Sequence, residues 1–214
     1  MKPKTSRIEP SRLAKRMRND EGTIHTILDE SLVCHVSYVL DRQPFIIPTS
    51  YCRVDNIIYL HGSVGSHFFM QMAKGIPVCI AVTLIDALVL ARSVFHHSLN
   101  YRSVVAFGTT RLVADPAERW MAAERFTEHV IPGRWNDARQ PSESEFKKTM
   151  FIAVEMEEVS AKVRDMGVGD DPEDMEAPVW AGLLPLKLSV GIPQQDEQQQ
   201  PNIPVPDYIS QYTR

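Results

Sequence analysis

The chain has 214 residues, 43% hydrophobic and 23% charged, with a formal net charge of −4. This is an ordinary globular composition, long enough for one sizeable domain with appendages. The acidic balance gives no general attraction to nucleic acid or anionic membrane, and no apolar run approaches the roughly 20 residues of a membrane-spanning helix.

The N-terminal stretch, Met1 to Arg18, is basic and has no apolar centre, so a secretory leader is not expected and the chain reads as cytoplasmic. Ser11 precedes a short helical stretch, Arg12 to Met17, and a second helix is predicted over Gly22 to Glu30, where Ile24, Ile27 and Leu28 share one face. Leu32 to Leu40 switches to strand alternation, with Cys34, Val36, Tyr38 and Leu40 on one side. Asp41-Arg42-Gln43-Pro44 has turn composition, Phe45 to Arg53 is the next strand, Val54-Asp55-Asn56 turns again and Ile57 to His61 returns. These three strands form a meander.

A helix over Phe68 to Lys74 is closed by Gly75. Strands follow at Pro77 to Leu84, Ala87 to Ala91 and Ser103 to Val113. Asp115-Pro116-Ala117-Glu118 is a helix start, with Asp115 as cap, Pro116 in the first turn and Glu118 completing a capping box. That helix runs towards Ile131. A shorter one is predicted over Ser142 to Lys148, before strands Met150 to Met156 and Val159 to Arg164. Residues 169–176 are acidic and turn-rich. The Gln/Pro-rich residues 194–206 should not pack alone, so the chain after Gly191 is expected to cross a partner surface or stay disordered. Pattern alone thus points to an antiparallel barrel with peripheral helices. Its expected parts are an N-terminal helical segment (1–30), a barrel domain (31–190) and a tail (191–214).

Three stretches carry candidate chemistry. His61-Gly62-Ser63-Val64-Gly65-Ser66-His67 ends a strand in small and hydroxyl residues just before a helix, a ready anion site; the alternative is a strand–helix connection with serine caps. Between Ser93 and Ser103, histidines, Asn100, Tyr101 and Arg102 crowd together. Arg102 beside Ser103 suits a phosphate or carboxylate, or else a surface ion pair. Adjacent His96 and His97 cannot face one way on a strand, so no metal site is expected, although a neutral imidazole there keeps a heme reading open. In Pro48-Thr49-Ser50-Tyr51, polar groups interrupt an apolar strand and suit the polar rim of a planar heterocycle, or a strand passing from core to surface. Cys34, Cys52 and Cys79 sit in strand-like runs without the spacing of a zinc or redox motif and read as buried, reduced thiols.

These stretches resemble the flavin mononucleotide (FMN) binding split β-barrels related to pyridoxamine 5'-phosphate oxidase, in particular the flavin-nucleotide-binding or nitroimidazole-resistance-like branch. The matching residues are Pro48-Thr49-Ser50-Tyr51, residues 58–63 with Gly65-Ser66-His67, residues 100–104 with Phe107-Gly108, residues 132–135, residues 158–164 and Ala177-Pro178-Val179-Trp180-Ala181-Gly182. The resemblance implies a mainly β, six-stranded antiparallel split barrel and a homodimer with FMN at the subunit interface. Pro48, Thr49, Ser50 and Tyr51 would line the isoalloxazine ring. His61, Gly62, Ser63, Ser66 and His67 would hold the ribityl chain and phosphate. Arg102 and Ser103 would reach the ring or phosphate, and Trp180, or else Trp135, would cover the flavin from the partner chain. It also marks His61 as the weak catalytic candidate. The expected function is a flavin-dependent oxidoreductase acting on a small molecule. The alternative is a non-catalytic protein that stores or senses flavin or heme.

Overall fold

The computed structural model describes residues 7–8, 14–200 and 202–214. The helical stretch expected from Arg12 begins outside the described residues; Ala14–Arg16 form one 3-10 turn leading into β1 (Met17–Arg18). Asp20 then starts α1 (Glu21–Glu30), its carboxylate accepting from the Thr23 amide at 2.9 Å. Ile24, Ile27 and Leu28 share the inward stripe and join the barrel core, so α1 contributes to the same core as the strands.

The meander forms as two tight hairpins. Asp41 and Arg42, at φ 50° and 64°, connect β2 (Val33–Leu40) to β3 (Gln43–Ser50) through a two-residue loop that suits the twist of paired strands. Gln43 and Pro44, expected in the turn, instead pair with Leu40 and Val39. The prolines at 44 and 48 keep β3 at the edge of the sheet, where a missing N–H breaks no ladder. The expected strand 45–53 divides at Tyr51, whose ring turns into the core and whose hydroxyl donates to the Leu28 carbonyl at 2.5 Å. Beyond it β4 (Cys52–Val54) pairs with β5 (Ile57–Ser63).

After α2 (His67–Met72), β6 (Pro77–Leu90) and β7 (Ser98–Leu112) form the spine of the sheet. The two strands expected at 77–84 and 87–91 are one, carried across a bulge between Ile85 and Ala87. The remaining elements are α3 (Pro116–Val130), α4 (Arg134–Asp137), α5 (Glu143–Lys147), β8 (Thr149–Glu155), β9 (Glu158–Arg164), β10 (Gly182–Pro185) and α6 (Asp207–Ser210). The sheet order is β3-β2-β6-β7-β8-β5-β4, with β9 joined to β7, β1 to β9 and β10 to β6, all antiparallel where registers are resolved. Besides pairing with each other, the two long strands each serve two further partners. β6 pairs with β2 at Cys79–Ala81 and with β10 at Ala87–Leu90, while β7 pairs with β9 at Tyr101–Phe107 and with β8 at Thr110–Leu112. That sharing splits the barrel, and it adds strands to the six expected.

β5 and β8 are covered on both faces. Ile58, Leu60, Ile152 and Val154 point into the barrel, while Tyr59, Phe151 and Ala153 pack with Cys52, Val113 and Ala122 beneath α3. Burial on both sides explains why these strands read as continuous apolar runs rather than alternating ones. Asp115 caps α3 through the Glu118 amide at 2.7 Å. The Glu118 side chain does not return to complete the expected capping box; Arg111 and the Tyr59 hydroxyl hold it instead. A reciprocal box forms at α5, between Ser142 and Glu145.

The tail after Gly191 ends on its own chain rather than away from it. The Tyr208 hydroxyl donates to Asp137 at 2.6 Å and that of Tyr212 to the Val130 carbonyl at 2.9 Å. Arg214 donates to the Asp29 and Glu30 carbonyls at 3.0 and 2.9 Å, placing a cation at the negative end of α1.

Candidate cofactor sites

The expected site residues fall in separate places on one chain, because neighbours along a strand face opposite ways. On β5, Gly62 lies on the barrel side, and a Cβ there would stand 2.1 Å from Phe69 Cε2, so packing against Phe69 calls for the glycine. His61 lies on the outer face with Tyr59 and opens onto a pocket of about 340 Å³ between β5–β8 and the helices α3, α4 and α5. Its ring meets Phe126 edge-on with centroids 4.0 Å apart and stacks 5.9 Å from Phe151. The Nδ1 atom is buried without a partner, and burial lowers the pKa of the ring, so the imidazole is neutral at physiological pH.

At the end of β5, Ser63 Oγ accepts from the Gly65 amide at 3.2 Å and the Ser63 carbonyl from the Ser66 amide at 3.0 Å. Ser66 precedes α2 but its side chain makes no cap, which leaves the amides of that first turn open. His67 is exposed and lies 3.2 Å from the Gln71 side chain. The loop therefore has the hydroxyls and amides of an anion site, but His61 is turned away from it into the aromatic pocket.

Pro48, Thr49 and Ser50 are accessible on the edge strand. Tyr51 is not: it is fully buried, and burial raises its pKa, so it cannot line a ring as the resemblance implied. Arg102, expected to reach the ring or phosphate, is held by carboxylates instead. Glu30 and Asp86 both bind its guanidinium, with Asp86 at 2.7 Å, so its charge is matched by two carboxylates before any phosphate arrives. It lines a polar cavity of about 530 Å³ together with Lys187 and Arg214. Ser103 faces the other way, beside Lys162, in a smaller cavity of about 170 Å³. Trp180 is 68% exposed. His96 Nε2 pairs with Asp171 and His97 Nδ1 with the Ser93 carbonyl, each at 3.0 Å, and neither lines one of these cavities. His96, Asp171 and Asp174 stand close enough to share a cation, at the surface.

Reading the sequence missed the pocket around His61. Its walls, Phe126, Trp135, Phe146 and Phe151, are spread over 26 positions in three helices and a strand. Trp135 entered only as a residue for a partner's flavin. Standing five to eleven residues apart, they form no motif along the chain.

Comparison with known proteins agrees with this architecture. The sequence profile described as pyridoxamine 5'-phosphate oxidase matches residues 20–163. No curated protein sequence matches the chain. The flavocytochrome Anf3 from Azotobacter vinelandii is 32% identical, covers 98% of this chain and 97% of its own, and superposes with a TM-score of 0.90. The FAD and heme binding protein from Mycobacterium smegmatis is 31% identical, with 91% and 95% covered and a TM-score of 0.87. A structure described as a candidate 5-nitroimidazole antibiotic resistance protein from Bacteroides thetaiotaomicron shares the fold, with 19% identity, 69% and 86% covered and a TM-score of 0.59. The antiparallel split barrel, the profile match and these likenesses together establish that the chain belongs to the pyridoxamine 5'-phosphate oxidase family.

Proposed function

We propose that this protein is a flavin-dependent oxidoreductase that works as a homodimer on a small molecule, with heme as a second redox centre. The observation that carries the reading is the likeness, nearly end to end and above 30% identity, to one flavocytochrome and to one FAD and heme binding protein. That likeness runs past residue 163, where the family profile stops, and so takes in the C-terminal segment.

Within one chain the groups suited to a flavin are scattered: the edge strand 48–50, the loop 63–67 and the exposed Trp180. A second copy is the economical way to bring them together. Apolar side chains left in solvent support it, with Val94 86%, Phe95 88% and Trp180 68% exposed. In this reading the loop 63–67 takes the phosphate of an FMN moiety, so FMN and FAD share the site, and Pro48, Thr49 and Ser50 edge the ring. Trp180 of the second copy covers it. A bound flavin supplies the redox chemistry, while the chain's residues orient the ring and exclude water. Three unpaired cysteines suit the cytoplasm. Among the described residues no helix is long and apolar enough to cross a membrane, and neither membrane nor nucleic acid is a proposed partner.

An absorbance spectrum of the purified protein with light scattering tests this directly. Flavin bands near one equivalent per chain, bleached by NADH or NADPH, on a particle twice the chain mass are expected. Chromatography of the heat-released flavin distinguishes FMN from FAD. Colourless monomers indifferent to both flavins would refute the reading, and flavin inert to both donors would make the protein a carrier.

A further inference from the structure

We propose that the pocket between the outer face of β5–β8 and helices α3–α5 is the heme site, with His61 as axial ligand to the iron. This rests on the flavin–heme reading above and assigns to it residues that neither the family match nor the likenesses specify.

The first support is the unmet polar atoms. Among the described residues, four buried side-chain polar atoms lack a hydrogen-bond partner, and two of them, His61 Nδ1 and Gln140 Oε1, belong to residues that line this pocket. A buried polar group without a partner costs about 1–3 kcal/mol; neither atom has surface open to the cavity, so a ligand would not meet them, but two unmet groups in one wall mark it as built for something other than stability. The Gln140 amide is held in position by its own Nε2, which donates to the Trp135 carbonyl at 2.6 Å.

The second support is the state of the histidine. His61 is fixed by aromatic contacts with Phe126 and Phe151 and makes no hydrogen bond among the described residues. Nδ1 is sealed, which leaves Nε2 as the nitrogen a ligand in the pocket can reach. An oriented neutral imidazole at the wall of an apolar cavity is what an iron porphyrin needs on one axial side. With no carboxylate behind Nδ1, the ligand stays a neutral imidazole rather than acquiring imidazolate character.

The third support is the walls. Phe126, Trp135, Phe146 and Phe151 present aromatic surface suited to a large planar ring, and the cavity, about 340 Å³ and open to solvent, would enclose one side of such a ring rather than the whole of it. Arg139, largely exposed and paired with Glu145, stands at the rim, where a porphyrin's carboxylates would meet solvent. The other histidines are less suited. His96 and His97 have polar partners on a surface turn, His129 is bonded to the Ser31 carbonyl at 2.8 Å, His25 lies beside Glu21, His67 beside Gln71, and His35 is exposed.

The test titrates hemin into the full-length protein freed of bound heme and follows the Soret band, with circular dichroism confirming that each variant is folded. Wild type should bind one hemin per chain. His61→Gly and His61→Gln should each lose at least tenfold in affinity or shift the Soret band, and added imidazole should restore the wild-type spectrum in His61→Gly alone. A His96→Ala/His97→Ala double variant should match wild type. Wild type that binds hemin while both His61 variants give the same spectrum and affinity would overturn the assignment and leave the flavin–heme reading standing. Loss of binding in the double variant alone would do the same. Wild type that takes up no hemin would overturn both the site and the heme half of the function, with the flavin bands still testing the rest.

Discussion

Gly108 stands where β7 changes partners, and replacing it tests whether the split of the barrel depends on a close backbone approach. Phe107 is the last β7 residue paired with β9, and Thr110 the first paired with β8. Between them a Cβ on Gly108 would lie 2.2 Å from the Glu155 carbonyl oxygen and 2.9 Å from Val154 Cγ1. The first obstacle is backbone in a paired strand, so β8 must retreat by about 1 Å to restore van der Waals distance, at a cost of about 3 kcal/mol or more by the usual price of overpacking. For a chain of this size that lowers the melting temperature by about 6–12 °C. Gly65→Ala is the control, because its nearest neighbour would be the Ser63 hydroxyl at an ordinary 3.7 Å. Thermal unfolding followed by circular dichroism decides the matter. If Gly108→Ala melts within about 2 °C of wild type, the strand crossing is not held as closely as argued.

Three further outcomes follow from other parts of the structure. Thr110→Val should destabilise by about 1–3 kcal/mol in urea, because its hydroxyl donates to the Met72 carbonyl at 2.6 Å and accepts from the Ile76 amide at 2.9 Å, and both would be left unmet. Cys34 and Cys52, whose thiols burial pushes up to about 12, should resist a thiol reagent at pH 8 until denaturant is added. Glu145 is held down to about 2, first by Arg139 and then by the Ser142 amide. Its lowered folded-state pKa means that its support for α5 is complete above about pH 4.5, the ordinary glutamate value, and is lost as pH falls through about 2, which a carboxyl NMR titration would follow.

The readable features of the sequence were those that depend on neighbours along the chain. The stripe Ile24, Ile27, Leu28, the alternation of residues 33–40, the cap at Asp115 and the closing Gly75 are all local, and all reappear in the structure. What local pattern could not show was which distant group competes for a side chain. Glu118 has the spacing of a capping box, yet Arg111 lies across the sheet edge and a charge-assisted pair outbids a backbone amide. Arg102 has the chemistry of a phosphate ligand, but α1 and the bulge in β6 bring Glu30 and Asp86 to it. Tyr51 ends a run whose polar groups suit the rim of a heterocycle or a strand passing from core to surface, and only the position of α1 reveals the carbonyl that its hydroxyl meets inside.

The same competition explains why one three-residue stretch serves two proposed centres. His61 and Ser63 are on the same face of β5, about 7 Å apart along a strand, while Gly62 between them faces the barrel and makes room for Phe69. Because β5 is covered by the barrel on one side and by α3 on the other, a histidine on its outer face has nowhere to go except into the gap that α3 leaves. Ala122 closes α3 onto Cys52 and Tyr59, but the next positions, Ala123 and Phe126, wall a space that none of the described residues fills. Two residues later the strand runs out from under the helix, and Ser63 emerges at the surface beside the open amides of α2. A strand that ends as its cover ends places an apolar, aromatic pocket and a polar anion loop within one residue pair of each other. That adjacency puts the proposed heme within a short distance of the proposed flavin phosphate, with no further element needed to bring the two centres together.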